Sequence, residues 1–360
     1  MFDPLTLARD NIRDLRPYSS ARHEFDGAAD VFLDANENAF GSPVDIALNR
    51  YPDPLSSTLK NRLAEINGVN SDQIFVGNGS DEAIDLLLRI FCEPRKDRVM
   101  TFPPTYGMYK VFADINAVGV DEVCLTTEFA LDLEEICRQY TSSTKVMFIC
   151  SPNNPTGNSL AVDDVLEVVE RFGSIVVVDE AYIHFSERGS LKNEIDRFPN
   201  LVVLQTFSKA WGLAGARVGL ALADSRIIDL MNRVKPPYNV NEISQRLALD
   251  ALVNTGTIDS WVEEIKDQRS DLGRSLGKFG FVKTVFPSDA NFLLVKVDDA
   301  DAIYKFLLKQ GIVVRNRNGV ERCEGCLRVT VGTPNENSKL LKALSHYRAS
   351  MPRSEETRQI

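Results

Sequence analysis

The sequence predicts an α/β fold in which helices flank a mostly parallel sheet. Continuous apolar runs rich in β-branched residues lie at 145–150 (KVMFIC), 174–179 (SIVVVD), 201–207 (LVVLQTF) and 217–223 (RVGLALA). Such runs are typical of strands that are buried on both faces. Helical patterns stand between and before them, such as the apolar stripe from Ile84 to Phe91 at spacing i, i+3, i+4, i+7. Strands that alternate with helices in this way indicate a parallel sheet.

The C-terminal part of the chain has a different pattern. After about residue 285 the strand-like run NFLLVKV is followed by a helical pattern at Ile303 and Phe306 and by the runs GIVVR and CLRVTVG. This order predicts a smaller α+β domain. A chain of 360 residues suits one large domain and one small domain. We therefore expect a large domain at 46–255, a small C-terminal domain at 256–360, and an N-terminal arm at 1–45 that completes part of the small domain.

Composition and charge exclude several classes of protein. The formal net charge of -10 disfavours nucleic acid as a partner, because binding its phosphates requires a basic face. No apolar run reaches the roughly 18 residues of a membrane-spanning helix. The first residues, MFDPLTLARD, mix charges into the apolar positions and do not resemble a secretory signal. We expect a cytoplasmic protein without a membrane partner.

The six cysteines are scattered, and several lie within apolar runs, as is typical of free thiols in a reducing cytoplasm. Cys323 and Cys326 form a C-x-x-C pair, but no second Cys or His pair stands nearby to complete a tetrahedral metal site. A metal site is therefore not expected. A zinc or redox role for this pair remains the less favoured alternative.

A candidate phosphate site lies in the segment QIFVGNGSDEAIDLLLRIF. The segment predicts a strand, a Gly-rich turn at Gly79, and a helix that begins near Ser80 with Asp81 in its first turn. The first turn of a helix presents free N–H groups and the positive end of its dipole, which suits a phosphate. The alternative is that Ser80 is only a helix cap and the glycines only form the turn.

Two further segments place polar side chains at predicted strand ends. SPNNPTG at 151–157 holds Asn154 after one buried strand, and SIVVVDEAY places Asp179 and Tyr182 at the end of the next. Ligands of open α/β sheets bind at such strand ends. A carboxylate there requires a cation or a donor, which a structural salt bridge or a protonated pyridine nitrogen could equally supply. An ordinary turn remains the alternative for Asn154.

Lys209 follows the run LVVLQTF directly, in the segment TFSKAWGLAGARVG. A lysine in a loop is usually a solvated surface residue. At a strand end, however, partial desolvation lowers the pKa of the amine and favours imine formation. Thr206, Ser208 and Arg217 flank Lys209 and could cradle a phosphate, since arginine binds phosphate oxygens with a forked geometry.

The order of these four segments resembles that of the fold-type I aminotransferases, which use pyridoxal 5′-phosphate (PLP), and the resemblance runs from about residue 30 to residue 332. It implies a large domain with a mostly parallel seven-stranded sheet. It also implies that Lys209 holds the cofactor as a Schiff base and that Asp179 pairs with the pyridinium nitrogen. By the same resemblance Asn154 and Tyr182 bind the ring hydroxyl, and Tyr106, in FPPTYGMY, stacks on the ring. The residues implied to hold the cofactor phosphate are Gly79, Ser80, Asp81, Thr206, Ser208 and Arg217.

Finer features resemble the histidinol-phosphate aminotransferases: LRPY, LDANEN, NRYPDP, VVRNRNG and CLRVTVGT. In that family the tyrosine that matches Tyr51 reaches the cofactor phosphate of the neighbouring subunit, which implies a homodimer with shared active sites. Strand alternation alone would make Arg328 a solvated residue, whereas the resemblance implies that Arg315 and Arg328 bind the anionic end of the substrate. The remaining residues implied to contact the substrate are Tyr18, Asn36, Glu37 and Asn154.

The resemblance implies transamination of L-histidinol phosphate with 2-oxoglutarate, which gives imidazole-acetol phosphate and L-glutamate in histidine biosynthesis. The alternatives are an aminotransferase for aromatic amino acids and a PLP-dependent decarboxylase on the same scaffold. A non-enzymatic regulator with an aminotransferase-like sensor domain is a further alternative. Such a regulator requires an added helix-turn-helix segment, for which residues 1–45 are too short and irregular.

Overall fold

The structure is a computed structural model that describes residues 2–18 and 29–350. The strands of its larger sheet are β1 (Ile74–Asn78), β2 (Arg98–Thr101), β3 (Gly119–Glu122), β4 (Thr144–Cys150), β5 (Ile175–Asp179), β6 (Leu201–Thr206) and β7 (Val218–Ala223). Their order across the sheet is β1-β7-β6-β5-β4-β2-β3. The mostly parallel seven-stranded sheet predicted from the sequence is confirmed.

Strand β7 is the exception to the parallel arrangement, because it runs antiparallel to both of its neighbours, β1 and β6. The connection between β6 and β7 spans 207–217 and contains no α-helix. A parallel pair needs a crossover connection of about a dozen or more residues, usually a helix. The short connection therefore returns the chain antiparallel, and it carries Lys209.

The α-helices of the described residues are α1 (Asp10–Arg13), α2 (Ser57–Asn67), α3 (Ser80–Phe91), α4 (Met108–Ile115), α5 (Leu133–Gln139), α6 (Val162–Arg171), α7 (Ser225–Val234), α8 (Glu242–Val253), α9 (Thr255–Leu276), α10 (Ala300–Lys309) and α11 (Pro334–Ser350). Short 3₁₀ turns lie at Pro4–Thr6, Ser71–Gln73, Ile183–Phe185, Leu191–Glu194 and Ala214–Ala216. None of the helices in this part of the chain is long and apolar enough to cross a membrane.

Apolar side chains cover both faces of the larger sheet, because successive residues of a strand point to opposite faces. In β5, for example, Ile175 and Val177 join the core beneath α3, whereas Val176 and Val178 join the core on the opposite face. The residues of β4 to β7 are almost all buried. This burial on both faces explains why the sequences of these strands are continuously apolar and do not alternate between apolar and polar residues.

The C-terminal part contains a second sheet with its own core. Its strands are β8 (Val282–Val285), β9 (Phe292–Val297), β10 (Arg315–Asn316) and β11 (Cys326–Thr330), in the order β10-β11-β9-β8. Apolar residues of α9, α10 and α11 pack on one face of this sheet. The smaller α+β unit that the sequence predicts is therefore present, while the domain boundaries at residues 45 and 255 stay predictions.

Candidate active site

The carboxyl ends of three adjacent parallel strands form the floor of a cavity of about 700 Å³. Strands β4, β5 and β6 are neighbours, so the segments that follow them meet at one edge of the sheet. The volume lies within the range of small-molecule sites. The cavity brings together thirteen of the residues singled out in the sequence: Gly79, Ser80, Asp81, Tyr106, Asn154, Asp179, Tyr182, Thr206, Ser208, Lys209, Arg217, Arg315 and Arg328.

Lys209 is reached through the open cavity, and its amine lies 5.5 Å from the centre of the Tyr182 ring. The surrounding protein desolvates the amine and lowers its pKa below the ordinary lysine value, and the nearby Arg328 lowers the pKa further. Both effects favour the neutral amine, which is the nucleophilic form. Lys209 is therefore suited to form a covalent bond with an aldehyde.

Asp179, the last residue of β5, is a fully buried carboxylate in the cavity wall. Burial raises its pKa to about 6, while hydrogen bonds from the Tyr109 hydroxyl and the Ala181 N–H act in the opposite direction. These donors lie at 2.8 Å and 3.1 Å from the carboxylate oxygens. At pH 7 Asp179 is mostly ionised, and it can hold a cationic ring nitrogen.

Tyr109 is a functional candidate that the sequence analysis missed. It is buried in α4, and its ring stacks on Phe148 with the ring centres 4.8 Å apart. Tyr106 and Tyr109 stand one helical turn apart in TYGMY, a spacing that could have indicated a shared face. The tertiary structure places the Tyr109 hydroxyl on Asp179, which orients that carboxylate.

An anion cradle lies at one end of the cavity, where the start of α3 meets the loop after β6. Hydroxyls of Thr206 and Ser208 lie 3.0 Å apart, and the Arg217 guanidinium donates to the Ser208 hydroxyl at 3.3 Å. Arg217 also forms an ion pair with Asp81 at 3.4 Å. Free N–H groups at the start of a helix, two hydroxyls and a guanidinium together suit a phosphate.

The cradle depends on a glycine at position 79, whose φ angle is +74°. A Cβ atom at this position would stand 2.7 Å from Nη2 of Arg217, inside the space that the guanidinium occupies. A side chain at this position would displace the Arg217 guanidinium, and the positive φ angle is one that residues with a Cβ atom rarely adopt. The phosphate end, the amine of Lys209 and the carboxylate of Asp179 thus provide three separate groups that fit PLP.

A second polar end is formed by residues of the smaller sheet. Arg315 of β10 stands opposite Arg328 of β11 in an antiparallel pair, and both line the cavity. The Arg328 guanidinium donates to the Asn154 side-chain oxygen and lies 5.1 Å from the centre of the Phe292 ring. The Asn154 amide lies 3.5 Å from the Tyr182 hydroxyl. Arg328 therefore faces the cavity rather than open solvent, while its neighbours in β11 enter the core.

Four predicted site residues do not line the Lys209 cavity. Asn36, Glu37 and Tyr51 line a separate cavity of about 610 Å³, where the Tyr51 ring stacks on Tyr238 at 4.6 Å. Glu37 accepts hydrogen bonds there from Arg50 and from the Tyr51 N–H. Tyr18 is 74% exposed and lines neither cavity. Their assignment to the cofactor or the substrate stays a prediction.

The family model for aminotransferase class I and II matches residues 39–344. A histidinol-phosphate aminotransferase of Parabacteroides distasonis is 51% identical over 348 residues, which is 97% of this chain and 100% of that protein. Another, of Christiangramia forsetii, is 50% identical over 94% of this chain and 96% of that protein. The chain belongs to the histidinol-phosphate aminotransferase family, within the class I and II aminotransferases.

Solved structures of the same family share the fold. A histidinol-phosphate aminotransferase of Sinorhizobium meliloti in complex with pyridoxal-5′-phosphate has a TM-score of 0.79 and 25% identity, and the match covers 88% of this chain and 90% of that one. An L-threonine-O-3-phosphate decarboxylase of Porphyromonas gingivalis, at 22% identity, shows the same fold with a TM-score of 0.72. The likeness to the decarboxylase is one of fold alone.

For this aminotransferase we expect Gly219→Ala to disrupt the phosphate end of the site. Gly219 lies in β7, and a Cβ atom there would stand 2.2 Å from Gly79 C and from Ser80 N. The start of α3 must then shift, at a cost of about 1–3 kcal/mol in unfolding free energy. We expect PLP affinity to fall roughly tenfold or more, measured by titration of the visible absorption.

Gly280→Ala is the control for Gly219→Ala, because no atom lies within 4 Å of its Cβ position. Wild-type affinity and stability in Gly219→Ala would contradict this account of the cradle.

Proposed function

We propose that this protein transfers the amino group of L-histidinol phosphate to 2-oxoglutarate, with PLP as its cofactor. The observation that carries the proposal is one cavity that is lined by Lys209 and by two groups of residues suited to anions. One end fits the cofactor phosphate, and the other presents Arg315 and Arg328 to the substrate. The relatives that are about half identical over nearly the whole chain support the same reaction and favour neither of the two alternatives, aromatic transamination and decarboxylation.

PLP, when bound, supplies an aldehyde that bonds to amines and a ring that withdraws electrons from the reacting carbon. Lys209 holds that group, with its lowered pKa favouring the reactive neutral amine. Once the substrate amine has replaced it, Lys209 would be free to accept the proton from the substrate carbon that bears nitrogen and to deliver it to the carbon of the former aldehyde group. Asp179 would keep the ring nitrogen cationic, and Asn154 and Tyr182 would bind the ring hydroxyl.

The arginine end accommodates both substrates of the reaction. A phosphate monoester arrives with histidinol phosphate, and a carboxylate arrives with glutamate or 2-oxoglutarate. Forked guanidinium donors bind both groups through paired hydrogen bonds. Arg328 is fixed by its hydrogen bond to Asn154, so the same arginine contacts the two substrates without having to move aside.

The active enzyme in this proposal is a homodimer with shared sites. Tyr51 is 52% exposed and lies outside the Lys209 cavity of its own chain, in the separate cavity that Asn36 and Glu37 also line. The exposed Tyr51, stacked on the half-buried Tyr238, is suited to an interface, where tyrosines are enriched. In the dimer Tyr51 would reach the cofactor phosphate of the partner subunit, and Asn36, Glu37 and Tyr18 would contact the substrate.

The proposed location of the enzyme is the cytoplasm. The six cysteines are free, which suits that reducing compartment.

A substrate panel tests the proposed reaction directly. Purified enzyme loaded with PLP is expected to convert histidinol phosphate in the presence of 2-oxoglutarate, with kcat/KM at least about a hundredfold above the value for phenylalanine. The difference arises because the carboxylate of phenylalanine offers less charge and fewer acceptor oxygens than a phosphate monoester, and so leaves part of the arginine end without a partner. Formation of glutamate measures transamination.

Histidinol phosphate has no carboxylate to lose, so release of CO₂ is measured in parallel reactions with L-threonine-O-3-phosphate to separate transamination from decarboxylation. CO₂ without glutamate would replace the proposal by a decarboxylase. Efficient turnover of phenylalanine with little turnover of histidinol phosphate would replace it by an aromatic aminotransferase.

A further inference from the structure

A third arginine lines the cavity beside the two that the sequence analysis singled out. Arg317 stands two residues beyond Arg315, and side chains at this spacing point to the same face of a strand. The Arg317 N–H donates to the Cys326 carbonyl oxygen at 2.9 Å, so the antiparallel pairing of β10 with β11 continues to this residue. Arg315, Arg317 and Arg328 thus converge on one end of the cavity.

Arg317 is held in the cavity wall without a hydrogen-bond partner for one of its donors. Its Nε atom is buried and has no acceptor among the residues that the structure describes. Burial lowers the pKa of its guanidinium, and the charges of Arg328 and Arg315 lower the pKa further. Arginine nevertheless stays protonated in proteins. A buried donor without a partner on a cationic group is costly, which indicates that an external acceptor completes the site.

Among the described residues, no carboxylate pairs with the arginines at this end of the cavity. Within 2–18 and 29–350 none of the three arginines forms an ion pair with an Asp or Glu. The two acids that line the cavity are engaged elsewhere, Asp81 with Arg217 and Asp179 with the Tyr109 hydroxyl. Three positive charges therefore face the space that the anionic end of a substrate occupies.

The number of charges distinguishes the two anions of the proposed reaction. A phosphate monoester carries about -1.5 to -2 charges at pH 7 and has three strong acceptor oxygens. A carboxylate carries one charge on two oxygens, which a single guanidinium fork satisfies. Two arginines are enough for the carboxylate, whereas a third guanidinium matches the additional oxygen and charge of the phosphate.

We propose that Arg317 is a specificity-determining residue that binds the terminal phosphate of the amino donor and discriminates phosphate monoester substrates from dicarboxylates. This inference rests on the proposed function, because it assigns the arginine end of the cavity to the substrate. It makes Arg317 a substrate-binding residue and gives it no role in proton transfer.

Steady-state kinetics of Arg317→Gln test the inference. We expect KM for histidinol phosphate to rise about 10- to 100-fold, the range for loss of a hydrogen bond to a charged group, with kcat within about threefold of wild type. KM for glutamate should change less than about threefold. Arg317→Lys restores the charge without the fork, and its KM for histidinol phosphate should lie between those of wild type and Arg317→Gln.

Arg322→Gln is the matched control for a general loss of positive charge. Arg322 is exposed, lies five residues further along the chain, and does not line the cavity. Its backbone is left-handed with φ of +61°, a strain that Gln shares with Arg. This variant should keep both KM values. An equal rise in the KM for histidinol phosphate in both variants would mean that long-range charge, and not contact, is responsible, and would overturn the inference.

Binding of inorganic phosphate to the PLP-loaded enzyme, measured by calorimetry, separates the two proposals. Wild type is expected to bind phosphate about tenfold or more tightly than Arg317→Gln. If wild type turns over histidinol phosphate but its KM is the same in Arg317→Gln, the role of Arg317 is wrong and the proposed function stands. If wild type does not turn over histidinol phosphate, the proposed function fails. In that case the phosphate affinities alone test the role of Arg317, and equal affinities of wild type and Arg317→Gln would overturn it.

Discussion

Lys209→Ala is expected to lower kcat by roughly 10⁴-fold or more, because it removes the group that moves the proton. Proton transfer by a positioned base alone contributes about 10²–10⁴-fold. The variant also loses the covalent hold on PLP, so the visible absorption of the lysine-bound cofactor should disappear. Glutamate formation and the absorption spectrum are measured on the same folded sample, with far-ultraviolet circular dichroism to establish the fold.

Lys192→Ala is the matched control for Lys209→Ala. Burial lowers the pKa of Lys192 too, but its amine donates to the Asn67 side chain at 2.9 Å and the residue does not line the Lys209 cavity. This variant should keep its activity per folded molecule and its absorption band. A small primary amine added to Lys209→Ala should restore part of the proton transfer, since the cavity is open to solvent. Wild-type turnover by Lys209→Ala would refute the assignment of Lys209.

Asp179→Asn is expected to lower kcat by about 10²–10³-fold, the range for removing one fixed electrostatic contact from an active site. Asparagine has nearly the same shape but carries no negative charge, so it cannot keep the ring nitrogen of PLP protonated. The Tyr109 hydroxyl, which donates to Asp179 at 2.8 Å, can still donate to the asparagine oxygen. The variant should therefore keep its fold, as measured by thermal unfolding, but lose most of its activity, as measured by single-turnover kinetics.

Glu180→Gln provides the comparison, because Glu180 is also a fully buried carboxylate and is adjacent in sequence. Its side chain accepts from Ser190, the Leu191 N–H and Gln205, and it does not line the cavity. We expect Glu180→Gln to lower the unfolding free energy by about 1–3 kcal/mol and to leave kcat per folded molecule near wild type. Equal losses of kcat in both variants would show that Asp179 acts through stability rather than through the cofactor.

Asp179 and Glu180 also show how much a local sequence pattern can predict about the site. Both acids follow the same apolar run, and the sequence indicates a strand end for both. Because side chains alternate along a strand, only one of the two can face the cavity. Which one does so depends on which face of the sheet bears the ligand. That face depends on the neighbouring elements, and for these residues the structure supplies the answer.

Tyr109 and Arg317 illustrate what the sequence analysis missed. Tyr109 lies 70 residues from its hydrogen-bond partner Asp179, and a buried tyrosine in an apolar helix is indistinguishable in sequence from one that only packs. Arg317 lies within the motif VVRNRNG, two residues after the predicted site residue Arg315. An arginine in such a polar segment is typically solvated, so the sequence provides no reason to choose it. Long-range packing gives each of them a role in the site.

The sequence by itself determined β1 and β4 to β7 of the larger sheet, though not the four-residue strands β2 and β3, and it determined the helix that begins at Ser80 and the position of Lys209 at a strand end. These features depend on local burial patterns and turn residues, which a short window of sequence contains. Only the tertiary structure decided that Arg315, Arg317 and Arg328 of the smaller sheet meet Lys209 of the larger one, and that Tyr51 lies in a separate cavity of its own chain. Contacts of this kind join residues that are distant in sequence, and they follow from how whole elements pack rather than from the pattern of any one of them.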